Sequence, residues 1–282
     1  AHEGARRSAK CRHAFEGCEY LSLPAMDLRS TYYLIKPLLP RFVQIALRRK
    51  QAQYKLSRIG DVWPVLESAA KVPEGWSGWP DGKRFALILT HDVDTAKGQD
   101  RCRDLMRLEQ DLGVVSSFNF VPERYEVDPV LRALLVQEGF EVGVHGLNHD
   151  GKLYQTRKIF RSRAEKINAY IRDWGAVGFR SPAMHHNLEW LKDLNIDYDA
   201  STFDTDPFEP QSDGVGTIFP FWVKRRDGTR YLELPYTLPQ DFTMFVLLQE
   251  KDISVWKQKL DWIAEHGGMA LINTHPDYMC FE

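Results

Sequence analysis

Four cysteines in 282 residues, Cys11, Cys18, Cys102 and Cys280, are too few and too scattered for a disulfide framework, and no Cys-x-x-Cys pair is present. Reduced thiols are expected, with a Cys11–Cys18 bridge as the open alternative. No apolar run reaches the roughly 18 residues that a bilayer-crossing helix needs. The start of the chain lacks the basic, apolar, small-residue order of a secretory signal, so a cytoplasmic location is expected. No Gly-rich phosphate loop occurs at a strand-to-helix turn. Net charge is also small, at -2. That value hides an asymmetry, because residues 1–60 hold 12 Lys/Arg against 4 Asp/Glu while the remaining 222 hold 25 against 35. The acidic larger part argues against a nucleic-acid partner. With 43% hydrophobic and 12% aromatic residues, disordered, collagen-like and disulfide-scaffold chains are excluded and a sizeable core is expected.

The chain reads as two parts. Residues 1–80 form a basic extension, expected to be helical or irregular and to pack on or close the rest. Within it, Thr31–Lys50 places Leu39, Phe42, Val43, Ala46 and Leu47 on one helical face before Arg48, Arg49 and Lys50, with Pro40 suited to a first turn. Such a segment either packs on the main domain or contacts a membrane surface peripherally. A Gly-, Pro- and Trp-rich connector covers Val72–Lys83.

From residue 81 onward strand and helix alternate. RFALILT, VVSSFNF, FEVGVHG, VGFRS, IDYDAS and MALINTH read as strands. Between them lie helices around Arg101–Asp111, after Asp128 as cap, over Arg157–Trp174, after Asn187 as cap, and over ISVWKQKLDWIAEHGG. This pattern predicts an α/β fold with a parallel sheet. It lapses into longer loops only between Phe203 and Ile253.

The polar residues with catalytic potential stand just past the strand ends: Asp92 and Asp94, His145 and His149, Arg180, Asp199 and His275. In a parallel α/β barrel those ends share one face, so segments far apart in sequence converge there. Two histidines four apart plus a carboxylate from another strand suit a divalent ion such as zinc. Asp92 and Asp94, two apart on an extended chain, project to one side, so that one carboxylate can hold the ion and the other a water. Helix capping or turn formation is the alternative for the aspartate pair.

In order, THDVD (90–94), HGLNH (145–149), FRSP (179–182), YDAS (198–201) and INTHP (272–276) resemble the five motifs of the polysaccharide deacetylases with the NodB-homology domain, carbohydrate esterase family four. The resemblance covers about Arg84 to the C-terminus and implies a distorted (β/α) barrel over residues 81–282. It implies a metal-dependent hydrolase removing N-acetyl, less often O-acetyl, groups from a glycan or glycan precursor. Zinc is the implied metal, with cobalt or nickel as alternatives, on Asp94, His145 and His149. Asp92 is then the base, although the swapped Asp92/Asp94 assignment stays open because Asp-Val-Asp replaces adjacent aspartates. Arg180 keeps Asp92 ionised, in an Arg-Ser-Pro motif one residue shorter than the family's. His275 is the general acid, and Asp199 is expected to orient its imidazole.

Other assignments follow from position. His91 is expected to pack, and His185 and His186 to be solvated loop residues. Trp222 and Tyr236 either stack on a sugar or belong to the core. Only seven residues follow His275, so closure of the barrel is expected from residues 1–80. The competing functions are a non-catalytic carbohydrate-binding relative and an amidase acting on a non-sugar amide.

Overall fold

A computed structural model describes residues 40–281. The possible Cys11–Cys18 bridge and the Thr31–Leu39 half of the amphipathic segment lie outside the described residues. The strands of the barrel all belong to one compact unit, Arg48–Glu282. Helix α1, Arg41–Leu56, runs past the expected end at Lys50. Among the described residues, no helix is long and apolar enough to cross a membrane.

Apolar runs rich in β-branched and aromatic residues become the strands β1 (Ala86–Val93), β2 (Ser117–Phe120), β3 (Glu141–His145), β4 (Gly178–Arg180), β5 (Tyr198–Asp199), β6 (Phe221–Lys224), β7 (Arg230–Glu233) and β8 (Met269–Thr274). The helices between them start on side-chain caps. Thr95 caps α2 (Ala96–Asp111), Asp128 caps α3 (Pro129–Gln137), Thr156 caps α4 (Arg157–Trp174) and Asn187 caps the short α5 (Leu188–Leu191). Helix α6 (Ser254–His266) ends on Gly267 at φ 73°, a left-handed position that glycine adopts without steric cost.

The sheet order is β6-β7-β5-β4-β3-β2-β1-β8, parallel throughout except for the hairpin β6–β7. That hairpin, within Phe203–Ile253, was not legible from the strand–helix alternation. Side-chain alternation gives the curled sheet two unlike faces. On the helix side, Phe118, Val142, Leu105, Leu131 and Leu135 form one cluster, and Val144, Phe179, Phe160, Ile167 and Ile171 another. Each such residue contributes about 1.5–3 kcal/mol when fully buried. On the interior side, Ala86, Ile88, Met269 and Leu271 make an apolar floor, where Trp79 packs. Above it on the same strands stand Thr90, Asp92 and Asn273, all buried.

Among the described residues, Tyr236–Leu238 crosses the lateral gap between β8 and the far side of the sheet. Leu238 forms a parallel bridge with Ile272 and Tyr236 one with Phe203. Thr237 N and Leu238 N both donate to Leu271 O, at 3.1 and 3.0 Å. Residues 66–79 cover the floor end. Leu66, Ala69 and Trp76 pack with Ile218, Phe219 and Ile263, and Trp79 Nε1 donates to Gly267 O at 2.8 Å.

An ion pair fastens α6 to the stretch after β5. Lys259 Nζ lies 2.9 Å from Asp204 Oδ1 and 2.8 Å from Oδ2, with both residues buried. Removing one partner strands the other charge, so Lys259→Met should cost about 3–5 kcal/mol in urea unfolding. Adding Asp204→Leu should recover most of that loss, and a double variant as unstable as the single one would refute this account.

Candidate metal centre

Asp92 lies inside β1, and Asp94 follows directly after it. His145 ends β3, while His149 stands in the following loop in the left-handed region at φ 52°. A non-glycine residue held there costs on the order of 1–3 kcal/mol and persists only where its surroundings fix it. Gly146, at φ 63°, makes the turn between the histidines, where a Cβ would come 2.5 Å from the Pro182 ring.

One atom from each of Asp94, His145 and His149 falls in a cluster less than 4.8 Å across. Asp94 Oδ1 is 3.1 Å from His149 Nε2 and 3.5 Å from His145 Nε2. His145 Nδ1 is 3.1 Å from Arg180 O. A carbonyl only accepts, so Nδ1 carries the hydrogen and Nε2 turns a lone pair toward Asp94, the arrangement that suits a metal ligand. Asp94 Oδ1 is buried without a hydrogen-bond donor. A buried carboxylate oxygen facing two imidazole nitrogens fits a divalent cation, as does the donor set of two imidazoles and a carboxylate. Asp277 fixes the strand exit here: its carboxylate accepts from Asp94 N at 3.2 Å and from the Thr95 hydroxyl.

Asp92 has different surroundings. Its Oδ1 accepts from Asn119 Nδ2 at 3.3 Å and pairs with Arg180 Nε at 3.5 Å, and its Oδ2 accepts from Asn273 Nδ2 at 2.7 Å. Gly143, the β3 residue opposite Asn119, leaves room for that amide, since a Cβ there would collide with Asn119 Oδ1. Burial pushes the Asp92 carboxyl up, but its electrostatic interactions with the His145, Arg180 and His275 side chains outweigh this and hold it below the ordinary carboxylate range.

His275 follows β8, and the carboxylate against it is Asp241. Asp241 Oδ1 is 2.7 Å from His275 Nδ1, and its Oδ2 accepts from His275 N at 2.7 Å. Burial lowers the imidazole's proton affinity, but Asp241 first, then Asp94 and Asp92, raise it to about 10. Asp241 precedes a π-helical turn, Phe242–Leu248, and accepts from Phe242 N at 2.7 Å.

No protein-family model matches the sequence, and no curated protein does. Among solved structures the chain is similar to a candidate polysaccharide deacetylase from Mycobacterium smegmatis, with a TM-score of 0.57 and 18% identity over 73% of this chain and 82% of that one. The chain has the NodB-type deacetylase fold. It is similar also to Puue allantoinase, with a TM-score of 0.52 and 16% identity over 71% of this chain and 80% of that one.

Within the NodB-type fold, Asp92, Asp94, His145, His149, Arg180 and His275 come together on the interior face, and Asp199 does not join them. Asp199 pairs in register with Phe179, which points to the helix side, whereas Arg180 and His145 are register partners on the interior side. One residue along a strand changes the face. Asp199 accepts from Ser201 Oγ at 2.6 Å and stands beside Glu233, whose carboxyl burial and the Asp199 charge push well up. The expectation that Asp199 orients His275 is thus corrected to Asp241.

Four lesser expectations change or resolve. The His186 side chain is 7% exposed rather than solvated, with Nδ1 3.0 Å from Met184 O. Tyr236 is buried, its hydroxyl between Asp206 and Glu209, and offers no face to a sugar. Trp222 is exposed on the edge strand β6, where the Arg230 guanidinium covers its ring at 3.9 Å. His91 sits between Thr274 Oγ1, at 2.7 Å, and Glu109 Oε1, at 2.9 Å.

Asp94→Asn should lower zinc affinity by more than the ~10–100-fold typical of losing an outer-shell partner, measured by competition with a chelating dye; unchanged affinity would place the metal elsewhere. The His275 ring is checked separately by NMR titration of the metal-free protein. It should stay protonated through pH 8, and in Asp241→Asn it should titrate at lower pH. Because the folded value of about 10 exceeds the ordinary 6.5, the pair stabilises the fold fully below pH 6.5, and this contribution fades as pH rises through 10. A wild-type ring that titrates near 6.5 would contradict the assignment.

Proposed function

We propose that the protein is a metal-dependent hydrolase that removes N-acetyl, less often O-acetyl, groups from a glycan or glycan precursor. The observation that carries this reading is the Asp94, His145 and His149 cluster lying beside Asp92, which Asn119, Asn273 and Arg180 clamp, and beside His275, which Asp241 holds. A divalent ion on that cluster, zinc with cobalt or nickel as alternatives, would supply Lewis acidity toward an acyl carbonyl.

The chain's own residues suit the remaining chemistry. Asp92, fixed by Asn119, Asn273 and Arg180, takes the proton of the water whose oxygen adds to the carbonyl carbon. When the carbon–nitrogen bond breaks, the amine needs a proton to leave. His275 has Nδ1 committed to Asp241, so Nε2 is the atom that gives it. Acetate and a free amine result. Arg180, buried and without hydrogen-bond partners for Nε and Nη1, orients Asp92 through charge and donates from Nη2 to Thr90 Oγ1 at 2.8 Å. The sugar enters through the likeness of the five motifs. A non-catalytic binder would need no base, acid and ligand cluster together. The second reading keeps this chemistry on a small non-sugar amide, and the likeness in fold to an allantoinase favours testing it.

Acetate release from an N-acetylglucosamine oligomer should vanish on chelation and return with zinc, cobalt or nickel. Asp92→Asn should reduce it about 10²–10⁴-fold, the usual weight of a general base. Full activity in Asp92→Asn would remove Asp92 as the base. Turnover of small amides without any acetate from a glycan panel would favour the second reading.

A further inference from the structure

Behind Asp92 a chain of buried side-chain amides and carboxyls leads away from the metal ligands, and the chemistry above uses only its first member, Asn273. Asn273 Nδ2 has two hydrogens, one for Asp92 Oδ2 at 2.7 Å and one for Gln240 Oε1 at 3.0 Å. Asn273 Oδ1 faces Thr90 Oγ1 at 3.2 Å. Gln240 Nε2 in turn donates to Glu209 Oε1 at 2.5 Å, and Glu209 and Asp206 flank the Tyr236 hydroxyl at 3.0 and 2.8 Å. All these residues are buried.

Each link fixes the direction of the next. An asparagine amide has two nearly isosteric orientations, and the wrong one would set Oδ1 against the Asp92 carboxylate. Gln240 Oε1 excludes it by requiring a donor from Asn273. Gln240 has the same ambiguity, and Glu209 removes it by requiring a donor from Gln240. The adjacent residue, Asp241, holds His275. One dipeptide at the entrance to the π-helical turn thereby governs both sides of the acid–base pair.

We infer that Gln240 is a positioning residue: anchored by Glu209, it orients Asn273 so that its amide donates to Asp92. The kinetic consequence rests on the hydrolase reading above, whereas the structural one does not. Gln240→Leu should lower kcat about tenfold, the effect of loosening one hydrogen bond to the base, with KM and bound zinc unchanged. Gln240→Glu alone keeps an acceptor for Asn273 but sets a carboxylate against Glu209, and it should also be slow. Combining it with Glu209→Gln restores the donor–acceptor alternation and should return kcat to near the wild-type value. A general loss of packing would not be rescued by that exchange.

The independent readout is the Asn273 side-chain amide by NMR. Both hydrogens should exchange slowly in the wild type, and one should exchange fast in Gln240→Leu. Full kcat in Gln240→Leu, a double variant no better than Gln240→Glu, or unchanged exchange of the Asn273 amide would each overturn the inference. If the wild type hydrolyses no acetylated glycan or small amide, the hydrolase reading fails, and the amide exchange alone decides whether Gln240 holds Asn273.

Discussion

The pairing of β1 with β8 is the constraint from which the rest of the site follows. Ala86 lies opposite Met269 and Thr90 opposite Asn273, all in parallel register. With a two-residue side-chain period, that register stacks an apolar floor and a polar upper layer on the same two strands. Asp92 and Asn273 then meet at hydrogen-bond distance, and His275 emerges beside them. A slip of one residue would bring His91 and Thr274 to the interior and send Asp92 among Phe118, Phe140 and Leu105.

The electrostatic design divides one buried space into two opposite environments. Burial disfavours the charged form of both Asp92 and His275, yet each is held toward that form because its partners lie within hydrogen-bond or ion-pair distance. Asn119, Asn273 and Arg180 serve the carboxylate, and Asp241 serves the imidazole. Both groups are buried in the polar layer above the apolar floor where Ile88, Leu271 and Trp79 pack. A carboxylate kept low and an imidazole kept high within one site is the separation of proton affinities that acid–base chemistry requires.

Much of this was legible in the sequence. Helix starts at Asp128 and Asn187 followed from cap chemistry, the parallel strands followed from apolar runs, and Asp92, Asp94, His145, His149, Arg180 and His275 followed from their places at strand ends. Asp199 misled because a strand of two residues gives no periodicity from which to read its face. Asp241 was missed because it lies in an irregular stretch with no helix or strand period, reached only by the folded chain. The one available hint was a carboxylate alone in the apolar run TLPQDFTMF. Asn119 and Asn273 carried no signal as neutral residues, although each points inward on its strand.

The contact between Asp277 and the exit of β1 links residues more than 180 positions apart, and β8 must already lie between β1 and the Tyr236–Leu238 crossing for it to form. The backbone of Asp94 is therefore set by the last strand and the turn after it. Contacts of such long sequence separation form late and slowly, because the loop they close must be ordered first. A chain still emerging from the ribosome carries Asp92, Asp94 and both histidines long before it can hold them in place. The geometry of this corner is thus set only once β8 and the turn that carries Asp277 have been made and have docked against β1.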